Sequence, residues 1–418
     1  MKTLRTLYRI GRGPSSSHTM APFRAAKRFR ERFPDAARIR VTLFGSLAAT
    51  GRGHLTDKAI QQAVAPCPAD VQWEPSRELP RHPNGMRFEA IGPNGEVVGV
   101  AEDYSVGGGE LLSESDHPDV YAVRSLQEVL DRCRTTGESF WEYVQQCEGD
   151  AVWPFLERVW DAMQRSLRCG LHTEGVIPGG LGLYRKAPSL YRKSRILDVT
   201  FRADALLAAY AYAVAEENAC SREIVAAPTC GSAGVLPAVL CYLRDELNLE
   251  KTDILRALAT AGLFGNVVKA NGSISGAVVG CQGEIGTACA MAAAAATQLL
   301  GGSPQQIEYA AEMGLEHHFG LTCDPVAGLV QIPCIERNAH AATRALSCAH
   351  FALLSDGLHR IAFDDAVSVL LETGRALPAL YRETSAGGLA RIYQKRLDEQ
   401  RDPAKSSGGN AEPQSPVS

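Results

Sequence analysis

The sequence predicts a small N-terminal α/β (α+β) domain followed by a larger all-α domain built round a buried central helix. Three observations carry this. Residues 85–106 alternate apolar and polar positions about a Pro93-Asn94-Gly95 turn, the pattern of a half-buried hairpin. From about residue 150 strand signals nearly vanish, and long alanine- and leucine-rich runs broken by glycine and proline take over. Within them, 284–300 is apolar on every side, Ala288 to Ala296 above all, as a helix surrounded by protein would be.

In chain order, Tyr8 to Thr19 holds Gly11-Arg12-Gly13-Pro14-Ser15-Ser16-Ser17-His18, too rich in glycine, proline and serine for a regular element. Ser17 or Thr19 is placed to cap a following helix with apolar positions Met20, Phe23 and Phe29. A strand is expected over Arg38–Leu43, then a glycine-flanked loop from Gly45 to Asp57 containing His54. Gly107-Gly108-Gly109 ends the hairpin. The expected division is 1–120 for the small domain, 121–150 for a charged helical connector, 151–400 for the all-α domain and 401–418 for a disordered tail. Helices are expected at 154–168, 202–219, 236–247, 252–264, 284–300, 304–316, 336–354 and 364–382. No internal repeat is found.

With 418 residues, 45% hydrophobic and 22% charged, the chain is long enough for a substantial core. A formal charge of −4 argues against general attraction to nucleic acid or membranes. No run is long and apolar enough to span a bilayer, and the start lacks a secretory apolar core, so a cytoplasmic location is expected. Residues 1–60 depart from the average, with thirteen Lys/Arg against three Asp/Glu. That excess suits an anionic ligand, a nucleic-acid face, a transit peptide or simply a solvated helix face at Arg24, Lys27, Arg28 and Arg32.

Among twelve cysteines, Cys281, Cys323 and Cys334 stand apart because loop-forming residues bracket each: Gly280 and Gly283, Gly320 and Pro325, Pro333. Cys323 and Cys334 are close in sequence, and Cys281 arrives from farther up the chain. Loops of this kind turn sulfurs inward toward a metal, whereas buried thiols as core filler are the simpler reading. Three ligands suit a cluster with one open iron; Cys230, in Pro228-Thr229-Cys230-Gly231, is a candidate fourth ligand that would instead close a structural zinc site. Ser15, Ser17 and His18 in their loop suit an anion, although the Gly-Lys-Ser/Thr ending of a phosphate loop is absent. Lys269-Ala270-Asn271-Gly272-Ser273-Ile274-Ser275 is a second polar, glycine-containing stretch. His18, His54 and His82, in glycine- or proline-flanked loops, are the better acid/base candidates among the histidines.

Taken together, these motifs resemble the iron–sulfur-dependent L-serine dehydratase (L-serine ammonia-lyase) family in its single-chain form, over nearly the whole chain. The resemblance is carried by Gly13 to Thr19, Gly51 to Asp57, Asn84-Gly85-Met86-Arg87-Phe88 and Thr173-Glu174-Gly175 in the first half. It continues through Asn271 to Glu284, Glu316 to Pro325, Pro333 to Asn338 and Tyr381-Arg382-Glu383-Thr384-Ser385. It implies a [4Fe–4S] cluster on Cys281, Cys323 and Cys334, with its fourth iron open to L-serine, which is deaminated to pyruvate and ammonia. It further implies His54 as the base with His82 in support. Ser15, Ser17, His18 and Thr19 would hold the carboxylate, and Lys269, Asn271, Ser273 and Ser275 would act from the helical domain. A homodimer with no nucleic-acid or membrane partner is implied as well.

Two departures stand out. No cysteine follows Cys348, whereas family members often carry one near the C-terminus, and Cys230 stands where the family often has Asn. Two rival readings are a pyridoxal-phosphate dehydratase, with Lys269 or Lys251 as the only lysines between 194 and 394, and a non-catalytic iron–sulfur sensor.

Overall fold

The computed structural model describes residues 1–114, 118–196 and 198–401. It bears out the predicted class: a small sheet-containing N-terminal region and a larger helical body.

Strand β1 (Arg9–Arg12) leaves the small region and pairs antiparallel, Ile10 opposite Val225, with a strand of the helical body. The N-terminal sheet comprises β2 (Arg38–Phe44), β3 (Ala69–Glu74), β4 (Gly85–Ile91), β5 (Val97–Gly107) and the two-residue β6 (Glu110–Leu111), in the order β3-β2-β4-β5-β6. β2 and β3 are parallel, and the short helices Gly45–Thr50 and Thr56–Val64 form the crossover between them. The expected hairpin is present as the antiparallel pair β4 and β5, closed by the Gly92 N–H donating to the Glu96 carbonyl at 2.8 Å with Gly95 at φ +88°. Alternation along β2 puts Ile39, Val41 and Leu43 on one face, all fully buried. Against that face lie Ala25, Ala26 and Phe29 of helix Ala21–Arg32, with the Phe29 ring 5.3 Å from that of Phe88.

In the helical body, Ile285–Leu299 is the central helix, buried from Ile285 through Thr297. Helices Val235–Leu247, Lys251–Asn271, Pro304–Glu316 and Cys334–Leu354 surround it. Small residues permit this: a Cβ on Gly314 would sit 3.1 Å from the Ala290 Cα, so any larger residue there would press those two helices apart by a few tenths of an ångström. Strand β7 (Glu223–Ala226), with β-branched Ile224 and Val225 at its centre, is the partner of β1 and is too short to stand out between two long helices. The first residues of the chain belong to this core as well: Leu4 and Leu7 are fully buried, and the Tyr8 hydroxyl donates to the Leu258 carbonyl at 2.8 Å.

Element boundaries moved in three places that bear on the site. The helix expected at 252–264 continues to Asn271, the one expected from 336 begins at Cys334, and the one expected to 382 ends at Ala376. Beyond Ala376 the chain runs through a short turn, Ala379–Tyr381, into the site. The tail expected from 401 lies outside the described residues, apart from Arg401, which ends helix Gly388–Arg401. Among the described residues no helix is long and apolar enough to cross a membrane.

Candidate active site

Cys281 opens a single turn, Cys281–Gly283, just before the central helix. Gly280 precedes it at φ +72°, and a Cβ on Gly283 would lie 2.4 Å from Val279 Cγ2, so both glycines are required for the thiol to point inward. Cys323 is fixed by a bridge to the Tyr381–Glu383 segment: its N–H donates to the Tyr381 carbonyl, and its own carbonyl accepts from the Glu383 N–H, both at 2.8 Å. Cys334 is the first residue of its helix, and the Asn338 side chain donates to its carbonyl at 2.8 Å. The three thiols line one narrow cavity and are 4%, 4% and 8% exposed.

The Cys281 Sγ donates to Glu284 Oε2 at 3.7 Å, and the Cys281, Glu284 and Cys323 ligand atoms all lie within 4.8 Å of one another. Burial together with the neighbouring Glu383 raises the Glu284 carboxyl to about 8, and burial beside Cys281 raises Glu383 to about 8. The Cys281 neighbour and burial push the Cys323 thiol up, and burial does the same for Cys334. Arg337, held by donation to the Thr322 carbonyl at 2.7 Å, is the guanidinium whose charge acts on all three thiols. Cys230 does not line the cavity; its Sγ faces the Met20 Sδ at 3.8 Å.

Opposite the thiols stand histidines from the small domain. The Ser15 Oγ accepts from the His18 N–H at 3.1 Å, which starts the turn Ser16–Met20. Thr19 Oγ1 donates to the His54 carbonyl at 2.7 Å, and Thr56 Oγ1 donates to the His18 carbonyl at 2.5 Å, so the two histidine loops are laced together. The rings of His18 and His54 are 4.5 Å apart. His18 is fully buried; its Nε2 lies 3.1 Å from the Ser46 carbonyl, which assigns the proton to Nε2, and its Nδ1 faces Glu383 Oε1 at 3.4 Å. Burial lowers His18 to about 4 and takes His54 well below 6.5, so both are neutral near pH 7. His54 Nδ1 is buried with no hydrogen-bond partner.

The loop of His54 docks on the loop between Cys323 and Cys334. A Cβ on Gly53 would come 2.4 Å from the Gly328 carbonyl oxygen, and the Ser46 Oγ donates to the Glu383 carbonyl at 2.9 Å. Ser15 and His54 line the thiol cavity, and Ser17, His18 and Thr19 are buried in the adjoining turn. His82, lowered to about 4 by burial, accepts from the Asn84 N–H at 3.1 Å and is close enough to act on His18.

The second polar stretch divides. Ser275 is buried with its hydroxyl unpartnered, and a Cβ on Gly107 would lie 3.3 Å from its Cβ; the Ser273 Oγ accepts from the Ser275 N–H at 3.1 Å. Lys269 and Asn271 lie on the last turn of their helix; like Ser273 and Ser275, they are outside the cavity lining. Lys269 pairs with Glu110 and donates to the Thr6 carbonyl at 3.0 Å, and Asn271 donates to the Arg124 carbonyl at 2.8 Å.

Two residues that sequence reasoning gave no role, Glu284 and Glu383, line the cavity, while Asn84 and Ser105 lie outside its lining, just before β4 and within β5. Asn84 is fully buried with both amide atoms unpartnered, and the fully buried Ser105, whose N–H donates to the Asn84 carbonyl at 3.0 Å, has an unpartnered hydroxyl. Buried polar groups without partners are rare, and a patch of them is what a polar ligand would satisfy. Glu284 and Glu383 carried a signal in their glycine- and serine-flanked motifs. Asn84 opens one of the motifs that carry the resemblance, whereas Ser105 carried no signal that composition reveals.

A small sheet-containing region and a larger helical body thus share one enclosed cavity, lined by three thiols and by the neutral imidazole of His54. Residues 100–390 match the family model for the serine dehydratase alpha chain, and residues 3–67 and 61–116 match that for the serine dehydratase beta chain. The chain is 40% identical over 444 residues to an L-serine dehydratase of Mycobacterium bovis, covering 92% of this chain and 96% of the relative. It is 38% identical over 449 residues to L-serine dehydratase 1 of Escherichia coli, covering 93% and 99%, and 35% identical over 452 residues to an L-serine dehydratase of Helicobacter pylori, covering 93% and 98%. The chain belongs to the serine dehydratase family, with the alpha- and beta-chain regions joined in one polypeptide.

Proposed function

We propose that this protein is an L-serine dehydratase that forms pyruvate and ammonia and holds a [4Fe–4S] cluster on Cys281, Cys323 and Cys334. The observation that carries the reading is one buried cavity lined by three thiols and by His54, at the meeting of the two domains. The donor set fits: three soft sulfur ligands, a nearby Arg337 charge that favours thiolates, and no fourth thiol on the cavity among the described residues. When bound, the cluster supplies a Lewis acid for the hydroxyl oxygen of serine, a poor leaving group on its own.

The chain's own residues supply the rest. His54, neutral and with its Nδ1 unpartnered, is the base for the weakly acidic Cα proton, and Thr19 fixes its backbone. His18, held between Ser46 and Glu383, sets the floor of the site and keeps positive charge away from His54. Ser15, Ser17, Ser275, Asn84 and Ser105 offer buried polar atoms to the substrate's carboxylate and ammonium. His82 supports this arrangement through Asn84 and its position near His18. Loss of the proton and of the hydroxyl leaves aminoacrylate, which tautomerises to an imine and hydrolyses in water.

The pyridoxal-phosphate alternative gains nothing from the geometry, because Lys269 is tied to Glu110 and Thr6 rather than facing the cavity. The test is anaerobic purification with iron and sulfide analysis, followed by pyruvate formation from L-serine. Iron and sulfide near four per chain with serine-dependent pyruvate is the expected result. Fully active protein free of iron would refute it.

A further inference from the structure

We propose that a cleft separate from the thiol cavity is a binding site for a small organic polyanion, of the phosphate-ester class. The cleft has a volume of about 830 Å³, within the range of small-molecule sites. It runs between β1, helix Ala21–Arg32, helix Thr56–Val64 and helix Val152–His172, and shares no lining residue with the thiol cavity. Arg5, Arg12, Lys58 and Arg158 converge on it from three separate stretches of chain, and no Asp or Glu is among the described residues that line it.

The contacts of Arg5 and Arg158 leave their charge in place. Arg5 donates to the Ala151 carbonyl at 2.8 Å, with its guanidinium 5.6 Å over the Phe155 ring, and Arg158 donates to the Pro154 carbonyl at 3.0 Å. Carbonyls and an aromatic face orient a guanidinium without neutralising it. A protein of net charge −4 that gathers like charges in one concavity bears their mutual repulsion, which an anion would relieve. The proposed substrate, a zwitterion of zero net charge, has no use for such a field. Phe23 and Phe155 add apolar wall, which an inorganic ion alone would not use but an organic body would.

The test is equilibrium dialysis of the full-length protein against pyrophosphate, inorganic phosphate and phenyl phosphate, with and without L-serine kept at saturation, so that the readout is bound ligand and does not depend on turnover. Wild-type protein is expected to bind pyrophosphate whether or not serine is present, and phenyl phosphate more tightly than inorganic phosphate. Arg12→Gln/Lys58→Gln, both at exposed positions, should weaken pyrophosphate by about tenfold or more, since each lost charge-assisted hydrogen bond costs about that factor. Arg158→Gln, on the facing helix, should weaken it in the same direction. No binding to wild type, equal binding by the variants, or displacement by serine would overturn the assignment. Phenyl phosphate binding no tighter than inorganic phosphate would remove the organic body from it.

Discussion

Acidification should destabilise this protein through His18. The imidazole is fully buried, and its neutral form is satisfied by the Nε2–H to Ser46 bond at 3.1 Å. Protonation would place a second N–H toward Ser15 Oγ and Glu383 Oε1, at 3.5 and 3.4 Å, and a charge in a site with little water. Burial lowers the folded-state value from 6.5 to about 4. The unfolded chain therefore takes up its proton first: stability is complete above about 6.5 and falls as pH drops toward 4. Each tenfold difference in proton affinity between the folded and unfolded chain is worth about 1.4 kcal/mol, so the full loss is roughly 3 kcal/mol, of which about 2 kcal/mol has gone by pH ~5. Urea unfolding of wild type and His18→Gln, at pH ~7.5 and ~5 in matched preparations, measures this. The glutamine retains a donor for the Ser46 carbonyl but cannot titrate, so the wild type should lose about 2 kcal/mol more than the variant on acidification. Equal losses in the two proteins would refute the reasoning, because His54, His82 and all other groups titrate in both.

Four further outcomes are expected. Cys334→Ala should abolish iron retention and pyruvate formation, while Cys230→Ala, whose sulfur faces Met20, should retain both; iron analysis beside the activity assay reads the difference. Gly53→Ala, whose new Cβ would press on the Gly328 carbonyl, should cost about 1–3 kcal/mol of stability and lower kcat by displacing the His54 loop, as seen by unfolding and steady-state kinetics. Asn84→Ala should leave stability almost unchanged, since the amide has no partner to lose, and raise KM for serine about tenfold. Lys269→Met should lower the unfolding midpoint by stranding buried Glu110, a loss of about 3–5 kcal/mol, and a KM change without that loss would restore Lys269 to the substrate.

Much of the site was legible from local chemistry. Glycine and proline beside Cys281, Cys323 and Cys334 exclude helix interiors, and a serine-rich turn before a helix exposes N–H groups and hydroxyls, so these stretches announce themselves wherever the chain goes. Lys269 and Asn271 looked alike in sequence to Ser273 and Ser275, but the helix runs on to Asn271 and turns the first two toward the N-terminal segment and Arg124. Helix phase, set by how far the hydrogen-bonded ladder extends, is not visible in a polar stretch.

The sequence by itself determined the class of fold, through the period of the hairpin and the all-round apolar helix, and the identity of the thiols and histidines. The tertiary structure alone decided which of them meet. It brought Glu383 to the cavity by clamping Cys323 against Tyr381–Glu383, left Cys230 against Met20, and set Asn84 and Ser105 side by side as buried groups without partners. The reason is physical: a residue's conformational preference is local and readable from its neighbours, whereas burial and an unmet hydrogen bond are properties of distant segments packed together.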